Sequence, residues 1–207
     1  MQYMVSEREQ TQIKEAIEAF EKQSSAEIVT VIAKQSDGYF FIPLLYAASG
    51  ALGISWAAQF FTGAMGAQEL AIWQILGFAV LALCVQIPPL KMALIPAFIK
   101  KKRAAAAAKS HFVSLGLHAT NNRAGVMLFV SEAEKYVEII TDVAVAQKID
   151  NALWEEAVQN FIERVKEGKI AQGYLETIQK AATLLTEHFP HAKAERDELP
   201  NHLILVE

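Results

Sequence analysis

Three carboxylates, Asp142, Asp150 and Glu27, are the side chains whose type and placement best suit chemistry. Asp142 closes a run of β-branched residues, where an open sheet presents functional groups, and Asp150 and Glu27 can fall in the same region. Carboxylates grouped with backbone carbonyls at strand ends hold hard cations, so Ca2+ or Mg2+ is the cofactor such a site would take. The same residues have a plainer use. An aspartate ahead of a helix accepts hydrogen bonds from the free N–H groups of the first turn. Both readings are open for Asp142 and Asp150, and capping is the more economical.

Other polar residues point less sharply. His111 and His118 lie on one expected helix, and His188 and His191 flank Pro190. A zinc site needs three or four ligands in a tetrahedral array, so these histidines read as surface or helix-terminal residues. Asn121 and Asn122 in "TNNR" suit a turn, and Arg123 beside them can bind an anion. Trp154 reads as core. The chain shows no Gly-x-Ser-x-Gly, no P-loop, no His-Glu-x-x-His and no glycine-rich dinucleotide fingerprint. Cys84 is the only cysteine, which excludes a disulfide within the chain and any zinc site built on several cysteines. A net charge of −4 argues against nucleic acid as a partner. The first residues, "MQYMVSEREQ", lack the basic and apolar regions of a signal peptide.

The elements that would position the carboxylates lie on both sides of a long apolar segment. Ser6 and Glu9 predict a capping box opening a helix over 6–22, with Ile13, Ala16, Ile17 and Phe20 at helical spacing. "AEIVTVIAK", 26–34, predicts a strand. Beyond the apolar segment, 103–117 is alanine-rich and helical, and strands are expected over 125–131 and 135–141. Asp150 then precedes a helix over 151–166, with Gly168 as its stop, and a last helix covers 171–188 before Pro190. "HLILVE" can add a short edge strand.

Between these flanks, Glu69 is the only charged residue from Tyr39 to Leu90. A bilayer core of roughly 30 Å needs about 20 apolar helical residues. Two helices fit, at about 39–61 and 70–92, joined by a turn holding Gly63 and Gly66. Aromatic residues stand near their ends, as at membrane interfaces, and Pro88 and Pro89 are expected to kink the second helix. "KMALIPAFI" can then run along the membrane surface. Lys100, Lys101, Lys102 and Arg103 follow at once, whereas the turn has no Lys or Arg. Basic flanks stay cytoplasmic and are drawn to anionic headgroups. They are the expected surface anchor, with both polar flanks and both termini on the cytoplasmic side of the cell membrane. A strand before the insert must find partners after it. The expected fold is therefore an α/β (α+β) sandwich, a small mixed β-sheet flanked by helices, formed by 1–38 with 100–207, and 39–99 is an inserted two-helix transmembrane hairpin.

The stretches "NRAGVMLFVSEAEKYVEIITD", "LWEEAVQNFIERVKEGKIAQGYLETIQKAATLLTEHFP" and "DELPN" together resemble the TPM domain. That family is shared by a thylakoid-lumen protein of photosystem II repair and many bacterial membrane proteins. The resemblance covers 104–201 well and 6–34 loosely. It implies a central sheet flanked by helices. Some members are described as phosphatases or calcium binders, others as assembly or repair factors. Asp142 and Trp154 match positions of the family pattern. Where the pattern continues with an Arg-Gly-like pair or a glycine-rich loop, this chain has Val143 and Ala144.

The function these features lead one to expect is non-enzymatic: a membrane-anchored adaptor or assembly factor, with the lipid bilayer and a membrane protein as partners. Two alternatives are a metal-dependent phosphatase working through Asp142 and a calcium-binding module.

Overall fold

In the computed structural model, residues 5–63, 66–120, 122–191 and 199–206 are described. Asn121, and Asp197 and Glu198 of the "DELPN" stretch, lie outside them.

Ser6 opens α1 (Glu7–Glu21) through a complete capping box. The Ser6 N–H donates to Glu9 Oε2 at 2.8 Å, and the Glu9 N–H donates to Ser6 Oγ at 3.4 Å. β1 (Glu27–Ala33) follows. After the apolar segment come α5 (Ala97–Ser114), a 3-10 turn at Leu117–Ala119, β2 (Gly125–Ser131) and β3 (Tyr136–Thr141). Three helices, α6 (Val143–Lys148), α7 (Asn151–Lys166) and α8 (Ile170–His188), lead to the short β4 (Ile204–Val206). The strands form one mixed sheet in the order β3-β2-β1-β4. β1 runs parallel to β2, from Glu27 opposite Gly125 to Ala33 opposite Ser131, and parallel to β4. β2 and β3 are antiparallel.

Strand alternation sends side chains to both faces of this sheet. Ile28, Ile32, Val126, Leu128 and Val130 pack with Ile13 and Ile17 of α1, Phe161 of α7, and Tyr174, Ile178 and Leu185 of α8. Val29, Val31, Met127 and Phe129 pack with Ala108 and Phe112 of α5 and with Leu117. Helices therefore cover both faces, and so every residue of β2 is buried. The Tyr174 hydroxyl donates to Val31 O at 3.3 Å, fixing α8 to the central strand.

The chain divides into two compact units, 1–36 with 103–207, and 37–102. The second holds α2 (Phe41–Thr62), α3 (Ala67–Cys84) and the short α4 (Pro88–Leu94). At 22 and 18 residues, α2 and α3 are long and apolar enough to cross a membrane. α2 buries Pro43, Ala47, Ala51 and Ser55, four residues apart along one stripe. A methyl group added at Gly77 of α3 would stand 3.9 Å from Ala51 Cβ, and one at Gly50 would stand 3.0 Å from Leu81 Cδ1. Small residues thus let the two helix backbones approach, as they do in bilayers.

Two boundaries differ from expectation. The second apolar helix stops at Cys84 instead of reaching residue 92, and Pro88 begins a new helix instead of kinking the old one. Proline suits a first helical position because its missing N–H would have no partner there, and it drives the preceding residue out of the helical region. Ile87 is accordingly extended, at ψ 119°. α5 starts six residues earlier than expected, so Lys100 to Arg103 are helical.

Candidate functional site

Asp142 sits where β3 ends and α6 begins, and the start of β2 meets it there. The Asp142 N–H donates to Gly125 O at 2.8 Å, and the Ala144 N–H donates to Arg123 O at 3.2 Å. Glycine at 125 lets the 3-10 turn at Leu117–Ala119 lie against the start of β2, because a Cβ there would fall 2.6 Å from Leu117 O. Arg123 is in the left-handed region, at φ 51°. That turn brings its guanidinium side-on to the carboxylate: Arg123 Nε donates to Asp142 Oδ2 at 2.7 Å, and Nη2 donates to Oδ1 at 3.1 Å. Two parallel bonds of this kind fix orientation as well as charge. Asp142 is 4% exposed while the Arg123 side chain is 54% exposed, so the pair presents its cation to solvent and keeps its anion inside.

Asp142 is also a helix cap, its Oδ1 accepting from the Val143 N–H at 2.7 Å. Burial pushes its carboxyl pKa up. The hydrogen bonds from Arg123 and the Val143 N–H, with the charges of Arg123 and His118, outweigh that and hold it below the ordinary 3.8. The carboxylate is therefore ionised and already holds three donor contacts.

Of the other expected ligands, Glu27 reaches the same end of the sheet. It stands opposite Gly125 in the β1–β2 register, and its N–H donates to Ala124 O at 3.3 Å. Asp150 caps α7 instead, accepting from the Ala152 N–H at 3.0 Å. Among the described residues no three His, Cys, Asp or Glu side chains come together as a metal-binding group. His111 stacks on Phe129, with ring centroids 5.8 Å apart. Trp154 is buried at 3% exposure.

A second polar cluster, at the opposite end of β1 and β2, is not visible in any local spacing. Buried Ser131 donates through Oγ to Glu134, and Ser36 Oγ donates to Ser131 Oγ at 2.8 Å. The Ser36 N–H donates to both oxygens of Glu134 at 3.2 Å. One carboxylate thereby ties the segment leaving β1 to the β2–β3 turn.

Residues 90–184 match the family model described as TPM domain. The NMR structure of the BA42 protein from the psychrophilic bacterium Bizionia argentinensis has a similar fold, with a TM-score of 0.62 and 20% identity over 99% of this chain and 97% of that one. At that identity the likeness concerns fold alone. No curated protein matches the sequence. The matched residues include β2, β3, Arg123, Asp142 and Asp150, but not β1, which pairs with both β2 and β4. Glu27 therefore approaches the site from outside the matched segment. Val143 and Ala144 form the first turn of α6, and the cation beside Asp142 comes from Arg123.

Proposed function

We propose that this TPM-domain protein is anchored in the cell membrane by α2 and α3, with its α/β unit and both termini on the cytoplasmic side. There the α/β unit docks a membrane protein and does not turn over a substrate. One observation carries the anchoring. Large apolar side chains that are exposed gather in 40–98, including Trp56 at 77%, Phe60 and Phe61 at 83% and Leu83 at 74%. Outside that segment only Val113, Val143 and Leu205 are exposed among the described residues. Leaving one such side chain in water forgoes about 1.5–3 kcal/mol, so a surface of this extent calls for lipid around it.

The non-enzymatic part is supported by the commitment of Asp142 to Arg123 and to the α6 cap. The α/β unit also buries its apolar residues on both sheet faces, which leaves its polar surface for contacts with a partner. The experiment is copurification from native membranes after cross-linking, beside a phosphate-release assay of the purified full chain with Ca2+, Mg2+ or Mn2+. Recovery of one reproducible membrane protein, with no phosphate release, is the expected result. Phosphate release that is lost in Asp142→Ala would overturn the non-enzymatic reading.

A further inference from the structure

The open end of the apolar hairpin is lined with cations. Lys91 of α4 places its ammonium 4.8 Å from the centre of the Phe40 ring. Phe40 immediately precedes α2, so Lys91 lies at the end of the hairpin away from its turn. Lys100 Nζ donates to Met92 O at 3.1 Å, tying the start of α5 back to α4. Lys101 and Lys102 follow, both exposed. Against these four lysines, the acids of 37–102 are Asp37 and Glu69. Asp37 accepts from the Tyr39 N–H at 2.8 Å, and Glu69 belongs to the turn end, where it accepts from the Gly66 N–H at 3.3 Å. The same short segment exposes apolar side chains: Ile87, Leu90 and Phe98, at 53%, 41% and 71%.

We propose that 87–102 is a binding surface for anionic phospholipid headgroups. Ile87, Leu90 and Phe98 enter the acyl boundary, while Lys91, Lys101 and Lys102 meet headgroup phosphates. A helix with exposed apolar residues beside a basic cluster lies in the interface in this way. Lysine suits it, because its alkyl stem stays with the apolar residues while its ammonium reaches the headgroups. The surface is continuous with the proposed spans, and its charge is opposite to that of an anionic leaflet. The inference rests on the membrane-anchored reading and adds a lipid preference that anchoring alone does not require.

The test uses the detergent-purified full chain with equal amounts of phosphatidylglycerol and phosphatidylcholine, and counts retained lipids by native mass spectrometry. The wild-type chain should retain phosphatidylglycerol over phosphatidylcholine by about tenfold, from a few lysines acting near the surface. Lys101→Gln with Lys102→Gln should remove most of that preference, and Lys101→Arg with Lys102→Arg should keep it. Lys101 and Lys102 are exposed residues of α5, so both variants should fold. Equal retention of the two lipids by the wild type, or an undiminished preference in the glutamine variant, would overturn the proposal. A chain that stays in aqueous solution without detergent would overturn the membrane reading beneath it.

Discussion

At the scale of single residues, Asp142 joins the start of β2 to the start of α6, so its charge matters to stability. Its carboxyl pKa is lowered in the fold, and a group of this kind stabilises the folded state above its unfolded pKa. That contribution should be complete above about pH 4 and vanish as the pH falls through the lowered folded value. Thermal melts of the detergent-purified chain from pH 7 to pH 3 should show this loss, and Asp142→Asn should flatten it. Asp142→Ala also deletes the α6 cap, at a cost of about 1 kcal/mol from that source. Glu134 makes a comparable case. Glu134→Ala leaves the buried Ser131 hydroxyl without its acceptor, which should cost about 1–3 kcal/mol in urea titration. Glu134→Gln, which keeps an acceptor, should cost less. Neither arrangement could be read from the chain. Arg123 and Asp142 lie 19 positions apart and Ser36 and Ser131 lie 95 apart, so only the sheet register brings them together. What was legible was residue type: an aspartate at a strand end, and an arginine in a turn.

At the scale of elements, strong periodicity and punctuation were legible. The Ser6–Glu9 cap, the β-branched run of β1 and the Gly168 stop each act over a few residues, and each has its expected structure. α6 was not expected, because six residues, Val143–Lys148, are too few to show a helical period. Pro88 was read as a kink because apolar composition continues across it, but backbone geometry makes it a helix start. The contact between α2 and α3 was also hidden. It depends on which small residues face each other, and α2 is apolar all round. Ala51 faces Gly77 there, which gives an element-scale prediction. Ala51→Leu should overpack the contact at about 1–3 kcal/mol and lower the melting temperature in detergent. Ala57→Leu should change it little, because Ala57 is exposed. A larger effect at position 57 than at 51 would contradict the packing described.

At the scale of the whole molecule, β1 precedes the apolar segment, and its partners β2 and β4 follow it. The α/β unit is therefore built from both flanks and includes residues outside the 90–184 match. The chain entropy of closing a long insertion grows only slowly with its length, and a helical hairpin returns the chain close to where it left. This makes a two-helix insertion compatible with one continuous sheet. The account of function then stands on the proposed topology, in which the hairpin turn and the two polar flanks face opposite sides of a bilayer.

That topology is tested most directly by labelling single cysteines in a Cys84→Ala background with a membrane-impermeant maleimide applied to intact spheroplasts. The account predicts that Thr62→Cys, at the end of α2, is labelled in intact spheroplasts, while Ser110→Cys is labelled only after lysis. Labelling of both positions before lysis, or recovery of the chain in the soluble fraction, would contradict it.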